Sequence, residues 1–209
     1  LGLAHIPVCP EDSIRYLQEM ESVDWIFIDP ARRDGRGGKT VAISDCEPDV
    51  SALEDLLLEK APHVLVKLSP MLDLALALHD LKHVQVAHIV SVNNECKELL
   101  LVLGRETHLS SEEVPIHCIN LMTSQTTQCL LFTRQQEKEY SCPYTSTLKT
   151  YLYEPNASIL KAGAFRSVSS IYNVEKLHPN SHLYTSDEYI PDFPGRKLRI
   201  TGRSSLNKK

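Results

Sequence analysis

The sequence has no C-x-x-C pair, no excess of positive charge, and no apolar run near the ~18 residues that span a bilayer. Each absence removes a class of protein. The six cysteines, Cys9, Cys46, Cys96, Cys118, Cys129 and Cys142, are scattered through expected strands and loops. That spacing argues against a zinc site and suits free thiols in a reducing cytoplasm. A formal net charge of −5 excludes a uniformly basic nucleic-acid binder. The nine histidines, among them His63, His79, His83 and His88, show no close helical pairing beside a carboxylate, so no metal site is expected. Without a membrane-spanning run, no membrane partner is expected either.

What is present is enough apolar residue for a core, 42% of 209 residues, in one large or two small domains. Periodicity predicts alternating elements. His5-Ile6-Pro7-Val8 reads as a short strand, Glu11 to Met20 as a helix, and Trp25 to Ile28 as a strand. A Gly-rich loop, Asp34 to Gly38, follows. Ser51 to Lys60 reads as a helix, His63 to Leu68 as a strand stopped by Pro70, and Met71 to Leu81 as a helix. Val84 to Val92 and Glu98 to Leu103 read as strands on either side of the turn-prone Asn93-Asn94, hence as an antiparallel hairpin. The earlier strand–helix alternation predicts a parallel α/β sheet.

The most informative stretch is Asp24-Trp25-Ile26-Phe27-Ile28-Asp29-Pro30-Ala31-Arg32-Arg33. A short apolar run ended by an acid and a proline suits a buried strand, and α/β sheets bind ligands beyond the carboxyl ends of such strands. Asp29 is therefore the first candidate for a reactive carboxylate, with Pro30 stiffening its turn. Arg32 and Arg33 suit a polyanionic substrate, or pair with Asp34, Asp45 or Glu47. Asp29 itself has a plainer reading, as a cap of its own turn. Lys67, Ser69 and Pro70 end the next strand and line the same edge.

This order resembles the second half of a class I S-adenosylmethionine-dependent methyltransferase, with Asp29-Pro30-Ala31-Arg32 at the place of its D-P-P-x type motif. It resembles more closely the bacterial methyltransferase-like proteins that carry a C-terminal THUMP-like domain. The likeness lies at Ile28 to Arg33, at Asn94-Glu95-Cys96-Lys97-Glu98-Leu99-Leu100, and at Tyr151-Leu152-Tyr153-Glu154-Pro155-Asn156-Ala157-Ser158-Ile159-Leu160-Lys161-Ala162-Gly163. The implied fold is the second half of a Rossmann-like sheet ending in a hairpin, followed by a small α+β ferredoxin-like domain. The implied boundaries are 1–106, 107–190 and 191–209, the last being a THUMP-like start or a basic tail.

The resemblance implies S-adenosylmethionine as cofactor and an amine nitrogen of RNA as acceptor. Asp29 and Pro30 would be catalytic, and Arg32, Arg33, Lys67 and Ser69 would bind substrate. Asp12 lies where such proteins keep a residue near the adenine, and Glu11 could substitute; the plainer reading of Asp12 is a helix cap. RNA uracil-C5 methyltransferases resemble this layout with a nucleophilic cysteine where this chain has Ser69, which disfavours covalent C5 chemistry. The family's glycine-rich cofactor loop should precede residue 1. With Leu1 not an initiator methionine, a piece of a longer protein is expected.

Beyond Gly104 the pattern changes. Ile116 to Met122 and Cys129 to Thr133 read as strands, Gln135 to Thr150 as a polar stretch, and Pro155 as the first turn of a helix bearing Ile159, Leu160, Phe165, Val168 and Ile171. Leu183-Tyr184-Thr185 reads as a further strand. Gly195 to Lys209 carries six basic residues and no acid, suited to RNA phosphates or to a solvated tail. Two rival functions stay open on sequence: a non-catalytic RNA-binding scaffold, and a methyltransferase for a protein or small molecule.

Overall fold

The computed structural model describes residues 6–32 and 42–202. Helix α1 (Ser13–Glu19) starts where the Asp12 carboxylate accepts the N–H groups of Ile14 and Arg15. Strand β1 (Trp25–Ile28) follows, then the two-residue pair β2 (Ala31–Arg32) and β3 (Cys46–Glu47). Helix α2 (Val50–Lys60) is capped by Asp49. Strand β4 (His63–Leu68) leads to α3 (Leu74–Asp80), capped by Asp73. Strands β5 (Val84–Val92) and β6 (Glu95–Gly104) form the expected hairpin. Its turn holds Asn93 and Asn94 at φ 49° and 66°, a left-handed pair that asparagine tolerates.

Strands β7 (Ile116–Leu121) and β8 (Thr127–Phe132) come next, then α4 (Arg134–Glu139) and β9 (Tyr151–Pro155). Helices α5 (Ala157–Ala162) and α6 (Phe165–Tyr172) precede β10 (Glu175–Lys176), β11 (Tyr184–Ser186) and β12 (Gly195–Arg199).

The strands make a six-stranded sheet, β1-β4-β6-β5-β7-β8, and a four-stranded antiparallel sheet, β10-β11-β9-β12. In the larger sheet β1/β4 and β5/β7 are parallel, while β4/β6, β5/β6 and β7/β8 are antiparallel. Strands β1, β4, β5 and β7 therefore run the same way, and their carboxyl ends share one edge. The chain is thus a mixed α/β protein with a hairpin-ended sheet followed by a small antiparallel unit.

Alternation sets the core. Val64, Val66 and Leu68 of β4, Leu99, Leu101 and Leu103 of β6, and Ile116 and Cys118 of β7 are buried. Helix α2 packs on β4, and α5 on β5, β6 and β7. Glu54 of α2 is also buried, because its carboxylate accepts the backbone N–H groups of Lys82 and His83, both at 2.9 Å. It ties α2 to the start of β5. Glu54→Ala orphans two N–H donors, and a loss of about 2–4 kcal/mol is expected in urea unfolding. A loss below ~0.5 kcal/mol would show that water replaces the carboxylate.

Several expectations are corrected. Ile6, Pro7 and Val8 form no strand: Pro7 lacks a donor, and the segment is exposed and pairs with no strand among the described residues, while His5 lies outside them. The helix expected from Met71 begins only at Leu74, because Asp73 caps it. The polar stretch after Gln135 contains α4, started by a reciprocal box between Thr133 and Gln136. Pro155 ends β9 rather than opening a helix, and Asn156 is the cap. The single helix expected beyond it is two, since Gly163 at φ 71° terminates α5; Ile171 is left exposed.

Strands β7 and β8, expected in the small unit, extend the large sheet instead, because Ile116 and Cys118 bury beside Ala87 and Ile89. Residues 195–199, expected within a THUMP-like start or a basic tail, pair with β9 in the small sheet.

Candidate functional site

Asp29 lies immediately beyond β1, at the shared carboxyl edge, next to the buried Pro30. Its Oδ2 accepts a hydrogen bond from Lys67 Nζ at 2.7 Å. Lys67 comes from β4, the parallel neighbour of β1. Alternation turns Val64, Val66 and Leu68 to the core and leaves Lys67 on the opposite face. From β6, Glu98 Oε2 approaches the same ammonium at 3.7 Å. Three adjacent strands thus place two carboxylates around one ammonium, all partly exposed: 51% for Asp29, 32% for Lys67 and 37% for Glu98.

The Asp29 hydrogen bond is the main cause that holds the Lys67 ammonium above the ordinary lysine range; burial opposes it and Glu98 adds to it. The sign follows. The pair's contribution to stability is complete below lysine's ordinary pKa of ~10.5 and is lost as pH rises through the raised folded value. Asp29→Asn leaves Lys67 a neutral acceptor in place of a carboxylate, which weakens the largest cause and removes the attraction of the charge, so the Lys67 pKa should fall, as read from its side-chain NMR titration. An unchanged value would mean that Lys67 and Asp29 are not paired in solution.

Ser69 sits two residues beyond Lys67 at the strand end, and its Oγ accepts the Met71 N–H at 3.3 Å. Its hydroxyl thus helps shape the turn after β4. Arg32 lies in β2, opposite Cys46. Arg33 and the Gly-rich loop 34–38 lie outside the described residues. Asp12 is the cap of α1, as its plainer reading has it, and the exposed Glu11 precedes it. Neither makes a hydrogen bond to Asp29, Lys67 or Ser69. An apolar recess of about 360 Å³ opens between α1 and β1, lined by Ile14, Tyr16, Leu17, Trp25 and Phe27 among others.

Sequence reading thus anticipated Asp29 and Lys67 at one edge but missed Glu98. Its signal was available: Glu98 is the last acid before the apolar run Leu99-Leu100-Leu101-Val102-Leu103 of a central strand. No disulfide joins the cysteines of the described residues. Burial pushes the Cys96 thiol up, against thiolate formation, which fits a packing role. Among the described residues, no group of three or more His, Cys, Asp or Glu could hold a metal ion, and no helix is long and apolar enough to cross a membrane.

Residues 151–194 match the family model of a ferredoxin-like domain. These residues hold β9, α5, α6, β10 and β11 of the small unit. The chain is also similar to a crystal structure from Porphyromonas gingivalis W83, described as that of a "putative methyltransferase". The two share 45% identity and a TM-score of 0.80, over 86% of this chain and 43% of that one. The chain therefore spans less than half the length of that similar protein. No curated protein is significantly similar to this chain.

Proposed function

We propose that this chain belongs to an S-adenosylmethionine-dependent methyltransferase acting on an amine nitrogen of RNA. The observation that carries the reading is the Asp29 carboxylate at the carboxyl edge of the sheet, held by Lys67 at 2.7 Å. The similar protein described as a methyltransferase supports the reaction class. The residues fit the cofactor. Two carboxylates against one ammonium leave the cluster net negative, which favours a sulfonium. The recess beside α1 has the apolar lining that an adenine ring needs, and Glu11 and Asp12 immediately precede its lining residue Ser13 in the chain. S-adenosylmethionine, when bound, supplies an electrophilic methyl group.

The chain's own residues do the rest. Asp29 accepts an N–H of the acceptor amine, orients its lone pair and offsets the positive charge that develops on nitrogen. Pro30 fixes the backbone that carries Asp29. Lys67 orients the Asp29 carboxylate and, with Ser69, Arg32 and Arg33, offers donors to a polyanionic substrate. Glu98 holds Lys67 from the far side.

RNA as substrate rests on the resemblance to proteins with a THUMP-like domain and on the basic residues of β12, Arg196, Lys197 and Arg199. Free thiols suit a cytoplasmic setting. The test is calorimetric titration of the native-length protein with S-adenosylmethionine. Saturable binding is expected. Silence at ~1 mM cofactor would favour a scaffold on a methyltransferase-like fold.

A further inference from the structure

A second feature lies on the same sheet edge as Asp29. The turn Asn93-Asn94, between β5 and β6, stands two to three strands from β1, ~10–14 Å across the sheet, and the register carries it about six residues, or ~20 Å, beyond the level of Asp29. Beside it is a cleft of about 200 Å³, lined by Asn93, Asn94, Asn120, Met122, Gln128 and, from β12, Arg196. This volume is below the ~300–1,000 Å³ of typical small-molecule pockets and suits a single ring with a short substituent.

Hydrogen bonds fix which groups the cleft offers. The Asn94 Oδ1 accepts the Ala157 N–H at 2.8 Å. The Asn93 Oδ1 accepts the Thr123 N–H and hydroxyl at 2.8 and 2.7 Å. Because a backbone N–H can only donate, both carboxamides are oriented, and the oxygen of each is committed. The deeper amides form a closed set. Asn120 Nδ2 and Asn156 Nδ2 donate to Gln128 Oε1, at 3.0 and 3.2 Å, and Gln128 Nε2 turns to the Gly195 carbonyl.

What remains at the rim is donors: the NH₂ groups of Asn93 and Asn94, and the Arg196 guanidinium. Arg196 gives one N–H to Glu154 at 3.3 Å and keeps the others. Among the described residues, no carboxylate lines the cleft. The Met122 thioether gives it an adaptable apolar wall for a ring.

We propose that this cleft binds a pyrimidine nucleotide of the substrate strand, several nucleotides from the reacting base, with Asn93 and Asn94 donating to ring carbonyls and Arg196 to the phosphate. The proposal rests on the RNA reading above and extends it to a sequence-reading subsite. Uracil, with two ring carbonyls, matches two NH₂ donors better than a purine, whose larger ring system overfills the cleft. The site and the reacting centre lie on one edge, so a single strand can occupy both.

The test follows the side-chain NH₂ signals of Asn93 and Asn94 in the ¹⁵N-labelled chain during titration with uridine monophosphate, adenosine monophosphate or inorganic phosphate. Uridine monophosphate should shift both signals saturably, with a dissociation constant of about 1 mM. Adenosine monophosphate should bind several-fold more weakly, and phosphate alone should perturb Arg196 without moving the carboxamides.

Asn93→Asp and Asn94→Asp keep the oxygen bonded to Thr123 or Ala157 and lose the donor. Each should weaken uridine, without its phosphate, about fivefold. Arg196→Gln should weaken uridine monophosphate and leave uridine unchanged. Carboxamide signals unmoved at ~10 mM uridine monophosphate in the folded chain would overturn the proposal, as would equal shifts from phosphate alone. Failure here with methyl transfer to RNA intact removes only this subsite; loss of transfer to RNA removes the reading beneath it.

Discussion

Asp29→Asn is expected to cut methyl-transfer turnover of the native-length protein by about 100-fold or more while leaving cofactor affinity nearly unchanged. Asparagine keeps the size of the side chain and one acceptor oxygen, so Lys67 retains a partner at the position it now holds 2.7 Å from Asp29. What is lost is the negative charge. A charge that matters only as the acceptor nitrogen becomes positive acts in the transition state, so its removal lowers kcat rather than binding. The control is thermal unfolding, because Asp29 is half exposed and its loss should barely move Tm. Turnover like that of the unsubstituted protein in a folded Asp29→Asn variant would take Asp29 out of the site.

The largest expected stability effect lies in the small unit. Tyr153 of β9 is fully buried, and its ring packs on Phe193 at a centroid distance of 4.8 Å. Its hydroxyl donates to the Glu188 carbonyl at 2.8 Å and accepts the Ile190 N–H at 3.0 Å. One side chain therefore fills the core and pins the segment between β11 and β12. Tyr153→Ala removes both roles and should cost about 3–5 kcal/mol. Tyr153→Phe keeps the ring and should cost about 1–3 kcal/mol, through the two orphaned backbone groups. Urea unfolding of the pair separates the terms. Equal losses would mean that the hydroxyl carries nearly all of the stabilisation.

Much of the large sheet was legible because its strands obey local rules. Trp25 to Ile28, His63 to Leu68 and the hairpin around Asn93-Asn94 are short apolar runs with breakers at their ends, and all form where periodicity puts them, but β1, expected to be buried on both faces, ends the sheet order with Trp25 and Phe27 exposed. Pairing across long separations was not legible. Nothing local to Ile116 or Cys129 says that β7 docks beside β5 rather than in a separate unit; burial of Cys118 and Leu130 against the common core decides it. The split between α5 and α6 was readable, since Gly163 in a helical pattern is a stop signal, but the apolar spacing across it masked the stop.

At the site, Asp29 and Lys67 were each found from a strand end. Their contact at 2.7 Å depended on β1 and β4 being neighbours. Glu98 was hidden for the same reason, because its nearness to Lys67 exists only once the β6 register is set. The cap made by Asp12 is the plainer of its two sequence readings, and Ile14 and Arg15 both donate to its Oδ1.

Methyl transfer to RNA at the edge bearing Asp29 is tested most directly by incorporation of labelled methyl from S-adenosylmethionine into total cellular RNA by the native-length protein, with RNase treatment before counting. The expected result is label that RNase releases and that Asp29→Asn abolishes. Label that survives RNase, in protein or small molecules, or no label from a protein that binds the cofactor, would contradict it.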